Sequence, residues 1–264
     1  MLTRSERIHK TVKRVKLQLR HKAAPAYPGF VLGCQRSGTN MMMGILDASP
    51  ETECYNESDE EAFDNYLLRD LNLVATLTAK SAAKITFFKC ILSSQHARTL
   101  LDRNPTGKIL WMFRRYEDVV NSNLKQFSNH TDEIKWMLFE PEKAGWRADN
   151  VAPEDMAMTR HFWEKGISDA SARALMWVLR NRLLFRQGLE TDPRVIAVDY
   201  DHLVTNPEPT VATVFKFLDL RFEPQFVKSV HSGSVRKDPA PEIDPELIEI
   251  AEEVWKHLSA IARI

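Results

Sequence analysis

Gly29-Phe-Val-Leu-Gly-Cys-Gln-Arg-Ser-Gly-Thr-Asn-Met-Met-Met-Gly-Ile-Leu46 changes character twice along its length. Gly29 to Cys34 is a short apolar run and reads as a buried strand. Gln35 to Asn40 is a polar turn, and Met41 to Leu46 opens an apolar helix. Strand, glycine-bearing turn and helix in that order make an anion site. N–H groups in the turn and at the helix start have no partner within the helix and point outward. Gly38 lets the backbone come close to the anion. Ser37, Thr39 and Asn40 add side-chain donors beside Gln35, and Arg36 adds a fixed positive charge.

Gly33 and Gly38 have the spacing of a nucleoside-triphosphate loop, G-x-x-x-x-G-K-[ST]. Thr39 stands where that loop has its lysine, and Asn40 where it has the hydroxyl that holds magnesium. The pattern suits a phosphate group without a metal. It counts against the alternative of a kinase-like phosphotransferase.

Further along, Lys108 to Phe113 reads as a second strand, with Arg114 and Arg115 at its end. Glu117 to Leu124 reads as a helix with acids in its first turn. Ligands of open α/β sheets bind at the carboxyl ends of strands. Arg114, by charge, and Ser122, by its hydroxyl, are spaced to meet a second phosphate there. Apolar runs at 85–89 and 194–199 add two strands. Helical periodicity marks Ala170 to Leu189 and Pro245 to Ile261. Strands alternating with helices predict an α/β fold, a parallel sheet covered on both faces. Residues 129–166 carry Trp136, Trp146 and Trp163 among Pro141, Gly145 and Pro153. They are read as an acceptor lid or as a satellite hydrophobic cluster.

These segments resemble sulfotransferases that use 3′-phosphoadenosine-5′-phosphosulfate (PAPS). Gln35 to Asn40 resembles the family's 5′-phosphosulfate loop. Leu110 to Ser122, with Arg at a strand end and Ser further on, resembles its 3′-phosphate motif. Arg194 to Pro207 resembles its v-x-Y-E-D-L-x-x-x-P segment, with Asp201 in place of the Glu. Phe217-Leu-Asp-Leu220 stands near the usual F-L-G-L. Met41 stands where cytosolic members place a Trp, and Arg236-Lys237-Asp238 lacks the glycine of their late Arg-Lys-Gly.

The resemblance implies a P-loop-like three-layer sandwich, one domain over 25–264. It implies PAPS as cofactor, no metal, and adenosine 3′,5′-bisphosphate as product. The cofactor is expected on Gln35, Arg36, Ser37, Gly38, Thr39, Asn40, Arg114, Ser122 and Tyr200, with Ser234, Arg236 and Lys237 as further contacts. Lys89 and Arg36 are expected to face the transferred group. Cytosolic members place a His base where Ile91 stands here. A second branch uses a Glu after the first helix, which makes Glu57 the expected base and Glu60 the next choice. The rival view of this stretch is an acidic helix cap at Ser58. The acceptor is a hydroxyl compound: carbohydrate, lipid or small molecule. A non-catalytic nucleotide-binding member of the same fold is the remaining alternative.

The chain of 264 residues balances 36 Lys and Arg against 36 Asp and Glu, which argues against a nucleic-acid partner. Three cysteines without metal spacing suit a reducing compartment, so a cytoplasmic location is expected. No apolar stretch has the length of a membrane span, and no signal peptide is expected. Residues 1–24 form a basic extension with eight Lys or Arg against Glu6. Ile8, Val12, Val15 and Leu19 recur at helical steps. Its two readings are a solvated helix packed on the domain and a peripheral helix for anionic lipid or an acidic partner.

Overall fold

The computed structural model describes residues 2–19, 25–127, 129–231, 233 and 235–262. The strands are β1 (Tyr27–Gly33), β2 (Thr52–Tyr55), β3 (Phe63–Asp64), β4 (Leu67–Leu68), β5 (Ile85–Lys89), β6 (Lys108–Phe113) and β7 (Val195–Asp199). Five make one parallel sheet in the order β2-β5-β1-β6-β7, and β3 and β4 pair as a short antiparallel ribbon. The first six helices are α1 (Arg4–Gln18), α2 (Thr39–Ala48), α3 (Leu71–Lys80), α4 (Ala97–Arg103), α5 (Tyr116–Gln126) and α6 (Thr131–Phe139). The rest are α7 (Pro141–Ala144), α8 (Pro153–Glu164), α9 (Asp169–Arg186), α10 (Tyr200–Thr205), α11 (Pro207–Phe217) and α12 (Pro245–Ile261).

Alternation along the strands builds the three layers. Phe30, Leu32, Phe88, Ile109, Trp111 and Phe113 face the core that α5, α9 and α12 cover. Val31, Phe87, Leu110, Met112, Ile196 and Val198 face α2 and α11. Both faces are buried, as in parallel sheets generally. β1 lies centrally, with β5 on one side and β6 on the other. Chain direction diverges there, so the carboxyl end of β1 opens at a topological switch point. Gly33 closes that end. Its φ is +119°, and an added Cβ would lie 2.1 Å from the Met112 carbonyl oxygen.

The predicted strands and the two long helices are present. β2 was not predicted: its four residues alternate too briefly to announce a strand. The aromatic-rich segment is helical. Pro141 and Pro153 begin α7 and α8, where a missing N–H loses no helical bond. Ile134, Met137, Ala144 and Phe162 join the α9-side core, so this is no satellite cluster.

In α1 a set of basic residues faces the domain together with Leu17, which is buried. His9 and Lys13 pair with Asp47 at 2.7 and 2.6 Å. Lys10 pairs with Asp59 and Glu61, and Arg14 with Glu53 and Glu61. Ile8, Val12, Val15 and Leu19, whose spacing announced the helix, are left exposed. Among the described residues no helix is long and apolar enough to cross a membrane.

Candidate functional site

The turn between β1 and α2 takes a shape that few residues adopt. Arg36 has φ +67° and Gly38 φ +80°. A left-handed arginine is strained and persists only where its surroundings impose it. Gly38 caps α2 without a side-chain bond, and no acid lies in the first turn. The positive end of the helix is thus left for an outside anion. Ser37 and Thr39 are buried, and Ser37 Oγ has no hydrogen-bond partner among the described residues. A buried hydroxyl without a partner carries a desolvation penalty that an anion at this turn would relieve.

Gly38 also has a packing reason. An added Cβ would sit 2.2 Å from Tyr200 Cδ2, so the tyrosine ring presses against the turn. On that ring stacks Arg114, its guanidinium carbon 4.5 Å from the centroid. The Trp177 indole N–H donates to the Arg114 carbonyl at 2.9 Å and fixes the end of β6. Arg114 lies 3.2 Å from Asp118. Arg36 Nε donates to Ser122 Oγ at 2.9 Å, joining the two sequence motifs directly.

The late basic loop meets the same helix. The Arg236 N–H donates to Asp118 at 3.1 Å, Asn121 to the Pro239 carbonyl at 2.9 Å, and Lys125 pairs with Asp238 at 2.6 Å. Lys237 is exposed and makes no hydrogen bond or ion pair among the described residues, while Ser234 lies outside them. Gln35 and Asn40 flank the turn, the first half-buried and the second exposed.

Carboxylates crowd Arg114 from below. Burial, then Asp199 and Asp118, push the Asp201 carboxyl up to about 6, against the pull of Arg114 and Arg236. Burial raises Asp199 as well. Asp118 was not among the expected site residues; it lies in the first turn of α5, next to the strand end that carries Arg114.

Glu57 follows β2 and Lys89 ends β5, and the two meet at 2.5 Å. Both are largely buried. Glu60 is exposed, and Glu61 is committed to Arg14 and Lys10. No helix starts at Ser58: the chain turns there, with the Asp59 N–H donating to the Asn56 carbonyl, and runs into β3. Ile91 is buried, and His96 is exposed beside Asp149. Arg180 of α9, which was not among the expected site residues, is buried behind the turn and donates to the Gly33 carbonyl at 3.2 Å. Among the described residues no cluster of His, Cys, Asp and Glu is arranged to hold a metal ion.

Residues 28–238 match the sulfotransferase domain family. Among solved structures, the sulfotransferase domain of the Synechococcus PCC 7002 olefin synthase is similar at 15% identity and TM-score 0.52, over 88% of this chain and 97% of that one. A sulfotransferase from Alicyclobacillus acidocaldarius is similar at 14% identity and TM-score 0.50, over 90% of this chain and 94% of the other. These two likenesses are in fold. No curated protein matches the chain by sequence.

The Asp201 environment predicts a pH effect. The unfolded chain releases this proton near 3.8, whereas the folded chain holds it to about 6. Stability attributable to Asp201 therefore falls as pH rises across that window and is level above it. Thermal unfolding of wild type and Asp201→Asn across pH measures this: the variant should lack that fall. Parallel curves would refute the assignment.

Proposed function

The chain belongs to the sulfotransferase domain family, and from that premise we propose that it sulfates an acceptor hydroxyl using PAPS, with Glu57 as base. The observation that carries this is the uncapped start of α2 beside the partnerless, buried Ser37 hydroxyl. Thr39 and Asn40 give this turn hydroxyl and amide donors where a triphosphate loop has lysine and a magnesium ligand.

The N–H groups of the turn, Ser37, Thr39 and Arg36 would hold the 5′-phosphate end. Arg114, Ser122 and Arg236 would hold the 3′-phosphate. Tyr200 positions both sets by lying between Gly38 and Arg114. When bound, PAPS supplies the sulfonate, whose bond to the 5′-phosphate breaks as the bond to the acceptor oxygen forms. Fixed donors aimed at the leaving phosphate act where negative charge grows, with no reorganisation needed during reaction. Glu57 Oε takes the hydroxyl proton, and Lys89 orients that carboxylate through their ion pair. The three free cysteines fit a reducing, cytoplasmic setting.

Thermal unfolding with adenosine 3′,5′-bisphosphate, AMP or ATP with magnesium tests the cofactor. At ~100 times its dissociation constant the bisphosphate should add about 2.7 kcal/mol. Stabilisation by ATP with magnesium alone would overturn the assignment in favour of a phosphotransferase. Glu57→Gln should bind the bisphosphate as wild type does and turn over about a hundredfold more slowly, the scale of a general base. Undiminished sulfation by that variant would remove Glu57 from the chemistry.

A further inference from the structure

A cavity of about 110 Å³ opens beside Gln35, with Asn123, Glu133, Trp146, Arg147 and Arg180 in its wall. Arg180 is 3% exposed. It donates to Gln95 Oε1 at 2.9 Å and to the carbonyls of Gly33 and Ile91, all neutral acceptors. No carboxylate pairs with it among the described residues, and its Nε has no partner. A buried guanidinium without a counter-charge costs several kcal/mol in desolvation. Burial accordingly drags its pKa down to about 10.

The rest of the wall repeats the pattern. Trp146 lies between two guanidiniums, Arg147 at 4.5 Å and Arg180 at 4.8 Å from its ring. Arg147 pairs with Glu133 at 2.6 Å, which leaves Arg180 without a carboxylate of its own, and Arg147 Nε is also buried without a partner among the described residues. Gln95 holds both Arg180 and the Trp146 carbonyl, fixing the pair. By contrast, a larger cleft of about 440 Å³ under α1 has Arg14 already bonded to Glu53 and Glu61.

We propose that this cavity seats an acidic group of the acceptor, a carboxylate or a phosphate, so that the substrates are hydroxy compounds already carrying negative charge. The proposal rests on the sulfotransferase assignment. A water occupies about 30 Å³ in the liquid, so the cavity takes an oxyanion head and little more. Its neighbours are Gln35 of the phosphate turn and, through the Arg180 bond to the Ile91 carbonyl, the chain two residues past Lys89. An acid head held here keeps the rest of the acceptor beside the reacting groups.

The full chain, saturated with labelled PAPS, is offered para-hydroxyphenylacetate against its amide, and glycerol phosphate against glycerol. The acid of at least one pair should win by about tenfold or more in kcat/KM, the scale of one charged hydrogen bond. Arg180→Gln should erase that preference while the bisphosphate still stabilises the chain. Because Arg180 also ties Gly33 to Ile91, Arg147→Gln serves as a second variant and should weaken the same preference. Equal use of acid and neutral partners, with bisphosphate binding intact, overturns the proposal alone. Arg147-dependent stabilisation by para-hydroxyphenylacetate in a chain that ignores the bisphosphate would keep the cavity and overturn the sulfotransferase assignment instead. No response to either ligand overturns both.

The outer face of α1 independently carries a second inference. Ile8, Val12, Val15 and Leu19 are 56%, 46%, 51% and 82% exposed, while the opposite face is clamped to the domain by ion pairs. Arg4, Arg7 and Lys16 flank the stripe and pair with no acid among the described residues. Fixed cations beside an apolar stripe complement anionic headgroups over acyl chains. We infer that α1 lies on an anionic bilayer surface. The full chain should sediment with phosphatidylcholine vesicles containing phosphatidylserine and not with phosphatidylcholine alone. Val12→Glu with Val15→Glu should abolish this and leave bisphosphate stabilisation unchanged. Failure to sediment, or a dimer in solution that the same variant dissociates, would overturn it.

Discussion

Gly38 lacks a Cβ, and the Tyr200 ring fills the space where one would be. A methyl group there would sit 2.2 Å from the ring. That close approach decides how the two halves of the site are related. On one side of Tyr200 stands the β1–α2 turn; on the other stacks Arg114, held by Asp118 and by the Trp177 contact to its carbonyl. The segments that follow β1, β6 and β7 thereby meet at one point. The left-handed conformation of Arg36 follows from the same constraint. The chain must leave β1 at Gly33, turn, and reach an uncapped helix within a few residues.

Charge in this protein is placed rather than merely balanced. Beside Arg114, burial together with the neighbouring carboxylates Asp199 and Asp118 raises Asp201, which holds its proton up to about 6. Behind the turn the imbalance is reversed, with Arg180 meeting only carbonyl and amide oxygens. A net charge of zero conceals both. In α1 likewise, His9, Lys10, Lys13 and Arg14 find intramolecular acids, whereas Arg4, Arg7 and Lys16 are exposed and pair with no acid among the described residues. Local surroundings, rather than the sum, set what each charge does.

Much of the fold was legible because it rests on local pattern. The β1 turn and α2 read directly, as did β6 with Arg114 and the bounds of α12, since apolar runs and helix caps are written in consecutive residues. The parts that escaped depend on tertiary placement. β2 is short and at the sheet edge, so nothing periodic marks it. α9 reads as amphipathic, yet the sheet, α5 and α12 bury it almost all round, and its Arg173, Arg180 and Asn181 become interior groups. The apolar stripe of α1 has a clear period, but periodicity locates a face without saying what covers it. Tyr200 could be assigned to the site from its segment, but not its contact with Gly38, which joins residues far apart in sequence.

The strand order gives the Glu57–Lys89 pair its position. β2 follows α2 in sequence, yet β5 inserts between β2 and β1. Glu57, just beyond β2, is therefore one strand removed from the anion-binding turn, and Lys89 at the end of β5 stands between them. The parallel register sets Lys89 opposite Val31, two residues before the turn-side end of β1. Had β2 paired directly with β1, a carboxylate would lie against the very end of α2 reserved for an anion and would repel it. The inserted strand supplies the separation and places a cation in the gap. The proposed base thus stands on a sheet edge, separated by a cation from a turn whose first helical residues carry no acid.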